Sequence, residues 1–168
     1  MGNSSTNSLV GMPADIVVKD NIAQWPTHNQ QIADINGVAD ERQDHFVKRN
    51  GIEFAGTHLI FDFWGATELD NLSRMEDALR ESVAVAGATL LHIHLHHFTP
   101  NGGISGVAVL AESHISVHTW PERGYAAFDV FMCGDAEPEK TIAVLKRAFL
   151  PEHVNITEHL RGMVSDDV

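Results

Sequence analysis

Apolar and polar residues begin to alternate at Gly56, after fifty-odd positions that show no period. Alternate positions up to Phe63 are apolar or threonine, and this spacing of two predicts a strand with one well-buried face. Between Asp70 and Ala86 the apolar residues fall three or four apart instead, with Gly87 placed as a C-terminal cap. The pattern predicts an amphipathic helix after the first strand.

Four strands, a helix and a last strand are predicted beyond this first helix. The predicted strands are Thr89–Phe98, Ile104–Leu110, two strands within Ala111–Gly134, and Val154–His159. Turns at 100–103 and 121–124 separate the strands in the middle of the chain. The predicted helix starts at Pro138, stops at Pro151, and has Ile142, Leu145 and Phe149 on one face.

The tight turns in the middle of the chain force neighbouring strands to run antiparallel. The order predicts an α+β fold, a two-layer α/β sandwich with a mostly antiparallel sheet and its helices on one face. The strands are too apolar on both sides for the other face to be fully exposed, so a dimer is expected.

Two segments are distinguished by composition. Residues 1–50 are rich in Asn, Ser, Gln and Asp and are predicted to be a mobile N-terminal extension, whereas residues 51–168 are predicted to form the single folded domain. No apolar run is long enough to span a bilayer, and a signal-peptide pattern is absent from the N-terminus.

The chain of 168 residues has a formal net charge of -12. This charge argues against binding to nucleic acid or to an anionic membrane, because both surfaces attract clustered Lys and Arg. The single cysteine, Cys133, excludes an internal disulfide and is typical of a reducing cytoplasmic location.

The stretch AESHISVHTWPERGYAAFDVFMCG, from Ala111 to Gly134, concentrates nucleophilic and titratable groups in one hairpin. A hydrolase triad of Ser113, His118 and Asp129 is one interpretation, but the nucleophile-elbow motif is absent. A nucleophile pair of Cys133 and His118 has no more support. Histidines on another strand, at 92, 94, 96 and 97, suggest a metal site, but no nearby Cys, Asp or Glu completes it.

A sheet that only binds a partner is the non-catalytic alternative. Polar groups on buried strands raise the free energy unless each one is satisfied, so their density in this hairpin favours a functional site. Periodicity alone leaves both interpretations open.

The run ESHISVHTWPERGYAAFDVFMCG closely resembles the processing-site segment of bacterial S-adenosylmethionine decarboxylase proenzymes. The resemblance extends from FAGTHLIFDFWG at Phe54 through HHFTPNGGISG at His96 to ITEHLRG at Ile156, and it covers roughly residues 50 to 162. It implies self-cleavage between Glu112 and Ser113, which leaves a pyruvoyl group at position 113.

The resemblance also implies an activity. The pyruvoyl carbonyl would form a Schiff base with the amine of S-adenosylmethionine and accept the electrons released with carbon dioxide, so no added cofactor is needed and no residue is assigned to a metal site. The product would supply aminopropyl groups for spermidine synthesis.

Residue roles follow from the resemblance, position by position. Ser105 would stabilise the oxyoxazolidine intermediate of processing, His118 would remove the Cα proton in the elimination, and Cys133 would protonate the decarboxylated carbon. The substrate contacts would be Glu122 on the ribose hydroxyls and Phe54 and Phe98 on the two faces of the adenine, where they also suit the sulfonium cation.

Strand parity adds an argument that is independent of the resemblance. If residues 113–120 form one regular strand, Ser113 and His118 point to opposite faces and cannot meet within one protomer. A homodimer with sites between protomers is therefore expected. The alternatives are a pyruvoyl-dependent arginine or ornithine decarboxylase and an uncleaved, non-catalytic binding protein.

Overall fold

The computed structural model describes residues 46–111 and 113–164. These residues form eight strands, two helices and one 3-10 turn at Pro121–Arg123. The elements are β1 Val47–Arg49, β2 Ile52–Phe54, β3 Gly56–Trp64, α1 Leu72–Val85, β4 Leu90–His97, β5 Ile104–Leu110, β6 Ser113–Trp120, β7 Tyr125–Cys133, α2 Lys140–Phe149 and β8 His153–Arg161.

Six strands form one sheet in the order β4-β5-β6-β7-β3-β8, and every neighbouring pair is antiparallel. The two helices pack against each other and cover one face of this sheet, which therefore has a helix layer on one side only. The predicted α+β sandwich is confirmed. The dimer that was expected with it stays a prediction.

The core lies between the sheet and the helices. Phe63, Phe128 and Phe149 form its aromatic centre. The ring centroid of Phe128 is 5.3 Å from that of Phe63 and 5.8 Å from that of Phe149. Each of these side chains is fully buried, and burial of one such ring stabilises the fold by about 1.5–3 kcal/mol. This packing fixes the helix layer to one face of the sheet.

The second helix differs from its prediction in one detail. It begins at Lys140, two residues after Pro138, because the chain first makes turns whose amide groups bond back to Glu137 and Pro138. Its buried residues are Thr141, Val144, Leu145 and Phe149, and the half-buried Ile142 also packs against the core. The three predicted apolar residues therefore face the core, together with Thr141 and Val144.

The face of the sheet without helices, called the open face below, is rich in histidine. Of the nine histidines among the described residues, eight lie on this face by strand register, and only His97 lies on the other. The eight are His58, His92, His94, His96, His114, His118, His153 and His159.

A short hairpin precedes the main sheet. β1 pairs antiparallel with β2, and Asn50 and Gly51 between them have φ values of 54° and 80°. Two successive positive φ values make the tight hairpin turn for which Asn-Gly is the strongest sequence signal. Ordered structure therefore includes positions 47–49, which were assigned to the extension, while residues 1–45 lie outside the described residues.

In the described parts of the chain, neither helix combines the length and the apolar character that crossing a membrane requires.

Candidate active site

The strand β6 is regular along its whole length. Its register with β5 runs without a shift from Leu110 opposite Ser113 to Ser105 opposite His118, and its register with β7 is equally continuous. Side chains alternate between faces along such a strand, so Ser113 lies on the helix side and His118 on the open face.

Ser113 lies beside Cys133 at the start of β6. The backbone amide of Cys133 donates a hydrogen bond to Ser113 Oγ at 3.3 Å, and the Cys133 Sγ atom is 3.6 Å from the same oxygen. Both residues are half-buried and line a cavity of about 300 Å³ together with Gly134 and Asp135. Ser113 and Cys133 are called the serine cluster below.

A second group lies near the other end of β6. Ser105 Oγ is 2.8 Å from His118 Nδ1. These two residues line a cavity of about 400 Å³ that also contains Phe98 and Glu122. Ser105, His118, Phe98 and Glu122 are called the histidine cluster below.

The two clusters share no cavity within one chain. Five residues separate Ser113 from His118 along β6, a span of roughly 17 Å at the usual strand rise, and the two side chains point to opposite faces. A hydrogen bond spans about 3 Å, so these groups cannot act on one another in the same protomer.

Phe98 and Phe54 differ in exposure. The Phe98 ring is 48% exposed, and its edge contacts His96 with ring centroids 4.5 Å apart. Phe98 N and O bond to Gly103 and Gly102, which closes the turn and fixes the ring at the cavity.

The Phe54 ring is only 1% exposed, and the guanidinium of Arg49 lies over it, 5.4 Å from the ring centroid. Arg49 in turn bonds to Glu158 at 3.1 Å and to Thr57 at 3.4 Å. In this structure Arg49 and its hairpin cover the Phe54 ring, and the stacking of Phe54 on adenine stays a prediction. Sequence reasoning missed Arg49, although the Asn50-Gly51 turn signal could have indicated the hairpin that holds it.

The other interpretations of the polar residues find little support in the geometry. Asp129 accepts a hydrogen bond from Ser116 and lies 3.5 Å from His58, so no triad of Ser113, His118 and Asp129 forms within the chain. Positions 92, 94 and 96 do share the open face. Across residues 46–111 and 113–164, however, no group of three or more His, Cys, Asp or Glu side chains could hold a metal ion.

Two groups on the open face have shifted pKa values. Burial lowers the pKa of His114 below its ordinary 6.5, the nearby His58 lowers it further, and Asp129 partly opposes both effects. A hydrogen bond from Tyr125 to Asp62, 2.6 Å long, raises the pKa of the tyrosine to about 12, with smaller contributions from burial and from the charges of the two aspartates.

Glu112, the predicted last residue before the cleavage point, lies outside the described residues.

The chain matches known proteins over its described domain. A family model described as S-adenosylmethionine decarboxylase matches residues 57–162. A relative named S-adenosylmethionine decarboxylase proenzyme, from Thermomicrobium roseum, is 45% identical over 112 residues, which cover 66% of this chain and 97% of the relative. A protein of the same name from Methanococcus maripaludis is 45% identical over 114 residues, covering 66% of this chain and 93% of the relative.

A solved structure is similar as well. The crystal structure of the adenosylmethionine decarboxylase from Aquifex aeolicus aligns with a TM-score of 0.60 at 30% identity, covering 68% of this chain and 97% of that one. The matched region contains both the serine cluster and the histidine cluster. This chain therefore belongs to the S-adenosylmethionine decarboxylase family.

Proposed function

We propose that this chain is the proenzyme of an S-adenosylmethionine decarboxylase that cleaves itself between Glu112 and Ser113. The observation that carries the proposal is the contact of Ser113 with Cys133 in a chain of this family. A serine that becomes the reactive carbonyl and a thiol that donates a proton next to it must lie close together. Ser113 Oγ and Cys133 Sγ are 3.6 Å apart. The decarboxylase is further proposed to act in the cytoplasm, in keeping with its single cysteine.

The residues around position 113 suit a pyruvoyl group. The cavity of about 300 Å³ beside Ser113 has room for a small reacting group, and Ser113 is only half-buried. The Cys133 amide, which now donates to Ser113 Oγ, is available to a carbonyl oxygen at the same position. When formed, the pyruvoyl supplies an electrophilic carbonyl for the substrate amine and a sink for the electrons released with carbon dioxide.

Processing needs a nucleophile and a base. The Ser113 hydroxyl attacks the carbonyl carbon of Glu112, the peptide becomes an ester, and a base then removes the Cα proton of residue 113 so that the ester is eliminated. The elimination releases the Glu112 carboxylate and leaves dehydroalanine at position 113, which tautomerises to an imine. Water hydrolyses the imine to the pyruvoyl carbonyl and ammonia. His118 is the proposed base, but it lies on the wrong face to serve Ser113 of its own chain.

A second copy of the chain therefore supplies the histidine. In a two-fold dimer, the histidine cluster of each protomer would face the serine cluster of the other. The histidine-rich open face, which lacks a helix layer, is the surface proposed to meet the second copy. Cys133 lies on this face by strand register and contacts Ser113, so the partner's histidine is proposed to approach Ser113 at the end of the sheet where β6 begins. The parity of β6 supports this arrangement independently of family membership.

Ser105 fixes the tautomer of His118 in this mechanism. When His118 Nδ1–H donates to Ser105 Oγ across their 2.8 Å contact, the Nε2 atom keeps its lone pair and can remove a proton. The Ser105 hydroxyl hydrogen is then left to donate to the oxyanion that forms when Ser113 attacks. One serine would thus both orient the base and stabilise the processing intermediate.

Cys133 is the proposed proton donor to the carbon that loses carbon dioxide. Its sulfur lies 3.6 Å from Ser113 Oγ, so it remains next to position 113 after processing. General acid catalysis by a group at this distance requires only a small approach of the two partners.

The substrate is proposed to bind at the histidine cluster of the partner. Its cavity of about 400 Å³ lies within the size range of small-molecule sites, with the exposed ring of Phe98 for the adenine and the carboxylate of Glu122 for the ribose hydroxyls. Phe54 can take part only after Arg49 moves away from its ring.

Intact mass and product analysis test this function. The wild-type chain should give two fragments that meet at positions 112 and 113, whereas Ser113→Ala should stay whole. The processed protein, offered S-adenosylmethionine, ornithine and arginine together, should release carbon dioxide from the first alone. A wild-type chain that stays whole after long incubation refutes the enzyme, and loss of carbon dioxide from arginine or ornithine refutes the substrate.

A further inference from the structure

The side chain of Thr119 links three separate segments beneath the histidine cluster. Its Oγ1 atom accepts a hydrogen bond from the backbone amide of Ile104 at 2.7 Å and donates one to the backbone carbonyl of Leu69 at 2.9 Å. An amide can only donate and a carbonyl can only accept, so the direction of both bonds is fixed. Thr119 is 6% exposed, and Ile104 and Leu69 are buried with it, so water does not compete for these bonds.

Two of the bonded residues are direct neighbours of Ser105 and His118. The register of β5 with β6 ends where Ser105 lies opposite His118. Ile104 and Thr119 occupy the next position on each strand. Side chains alternate along β6, so Thr119 points to the helix side while His118 points to the open face. The Thr119 hydroxyl therefore holds the two strands together one step beyond the 2.8 Å contact between Ser105 and His118.

The same threonine lies against the turn that leads into β5. A Cβ atom added at Gly103 would lie 2.8 Å from the Thr119 carbonyl oxygen, so the two backbones are in close contact. The Gly103 carbonyl in turn accepts a hydrogen bond from the Phe98 amide at 2.7 Å. Leu69 belongs to the segment that joins β3 to α1. Thr119 thus fixes the start of β5 both to the end of β6 and to the segment that enters the first helix.

We propose that Thr119 is a positioning residue for self-cleavage, whose hydroxyl keeps Ser105 Oγ within hydrogen-bond distance of His118 Nδ1. β5 begins at Ile104, so without the bond to Thr119 its first residues would separate more easily from β6. The tautomer of His118 depends on Ser105, and misplacement of a catalytic group by about 1 Å slows a reaction by about 10². The inference rests on the proposed function, in which His118 is the base of processing.

Substitution of Thr119 by a residue of the same shape tests the inference. Thr119→Val removes both hydrogen bonds, and self-cleavage should slow by a factor of about 10 to 100. Thr119→Ser keeps the hydroxyl and should cleave itself at close to the wild-type rate. Thr119→Cys, whose thiol forms only weak hydrogen bonds, should fall between them and gives the comparison if Thr119→Val does not fold. Cleavage at the wild-type rate in the folded variants without the hydroxyl overturns the inference.

Thr141→Val is the matched control. Thr141 is also buried, and its Oγ1 atom donates a hydrogen bond to the carbonyl of Pro138 at 2.6 Å, at the start of α2. Its substitution removes a buried hydrogen bond and should lower the melting temperature, yet self-cleavage should keep its wild-type rate. If Thr141→Val slows cleavage as much as Thr119→Val does, lost stability alone explains the effect and the inference is overturned.

The tautomer of His118 is a readout that a purely structural role of Thr119 would not change. In chains that also carry Ser113→Ala and stay whole, nitrogen NMR of the imidazole should show the proton on Nδ1 when residue 119 is Thr or Ser, and a mixture of both tautomers when it is Val. The same tautomer in all three chains contradicts the inference, even if cleavage is slow. A wild-type chain that never cleaves itself, although its imidazole responds to position 119 as expected, would instead refute the proposed function.

Discussion

Ser113 and His118 lie on one regular strand, five residues apart, with their side chains on opposite faces of the sheet. The strand has no bulge that would bring them to one side. Each residue nevertheless has the neighbours that its proposed role needs, Cys133 for Ser113 and Ser105 for His118. Because the two side chains lie on opposite faces, an active site that uses both residues must combine Ser113 of one chain with His118 of another.

Complementation between two inactive chains tests this arrangement. His118→Ala and Ser113→Ala chains, each uncleaved alone, should form mixed dimers in which the first chain receives an intact histidine from the second. With random pairing, about half of the His118→Ala chains should be cleaved, and none of the Ser113→Ala chains. Mass spectrometry distinguishes the two chains by their substitutions.

A chain with both substitutions is the control for this mixture. Paired with His118→Ala, it offers no histidine and should yield no cleavage. Cleavage of His118→Ala in isolation, or its failure to cleave in proven mixed dimers, would rule out the shared site.

Substitution of Cys133 should slow decarboxylation and leave self-cleavage almost unchanged. Cys133→Ser keeps the backbone amide that bonds to Ser113, so self-cleavage should proceed at a rate close to that of the wild type. Decarboxylation should fall by about 10²–10⁴, the usual contribution of a positioned proton donor, because an alcohol is a much weaker acid than a thiol. Fragment formation and carbon dioxide release, measured on one sample, check both expectations.

Cys133→Ala provides the comparison, since it also keeps the amide. Cys133→Ala should cleave itself at the same rate as Cys133→Ser. Its rate of decarboxylation should be no higher than that of Cys133→Ser. A Cys133→Ser enzyme with wild-type turnover would exclude the thiol as proton donor.

Much of the fold follows from local patterns in the sequence. The two-residue period of the segment at 56–64 and the tight turns around β5, β6 and β7 predict antiparallel strands, because short connections leave no other pairing. The position of β3 between β7 and β8 is different. It results from contacts between residues far apart in sequence, and no local period encodes it.

The site was predictable to a similar extent. Alternation along β6 places Ser113 and His118 on opposite faces from sequence alone. The cover of Phe54 by Arg49 was not predictable, because three-residue strands are too short to show a period and the contact depends on Glu158 at the far edge of the sheet. Sequence patterns locate side chains along elements better than they locate contacts between elements.

His114 should make the protein less stable in acid. Its pKa lies below 6.5 in the folded chain, so the unfolded chain binds a proton first as the pH falls through 6.5. The free energy of unfolding should therefore decrease with falling pH between 6.5 and the folded pKa, and no further through this group below it. Urea unfolding at a series of pH values measures the slope, and NMR titration of the imidazole measures the pKa itself.

Two substitutions near His114 should move its pKa in opposite directions. His58→Gln removes a positive neighbour and should raise the pKa of His114, whereas Asp129→Asn removes a negative neighbour and should lower it further. The same sign of change in both variants would contradict this electrostatic account of the cluster.

Tyr125 is the only tyrosine in the chain, so its ionisation can be followed directly by ultraviolet absorbance. In the folded protein it should ionise near pH 12, against the ordinary 10.0 in urea, because Asp62 accepts a hydrogen bond that only the neutral phenol can donate. The stability this bond contributes is present below pH 10 and should be lost as the pH rises from 10 to 12.

Asp62→Asn should lower the pKa of Tyr125 most of the way back to its ordinary value, because the hydrogen bond to Asp62 is the largest cause of the raised pKa. Asp129→Asn removes only the smallest contribution and should leave the pKa of Tyr125 well above that in Asp62→Asn. Circular dichroism at each pH verifies that the fold persists during the titration. A wild-type tyrosine that ionises near 10 while the protein stays folded would mean that the bond to Asp62 does not form in solution.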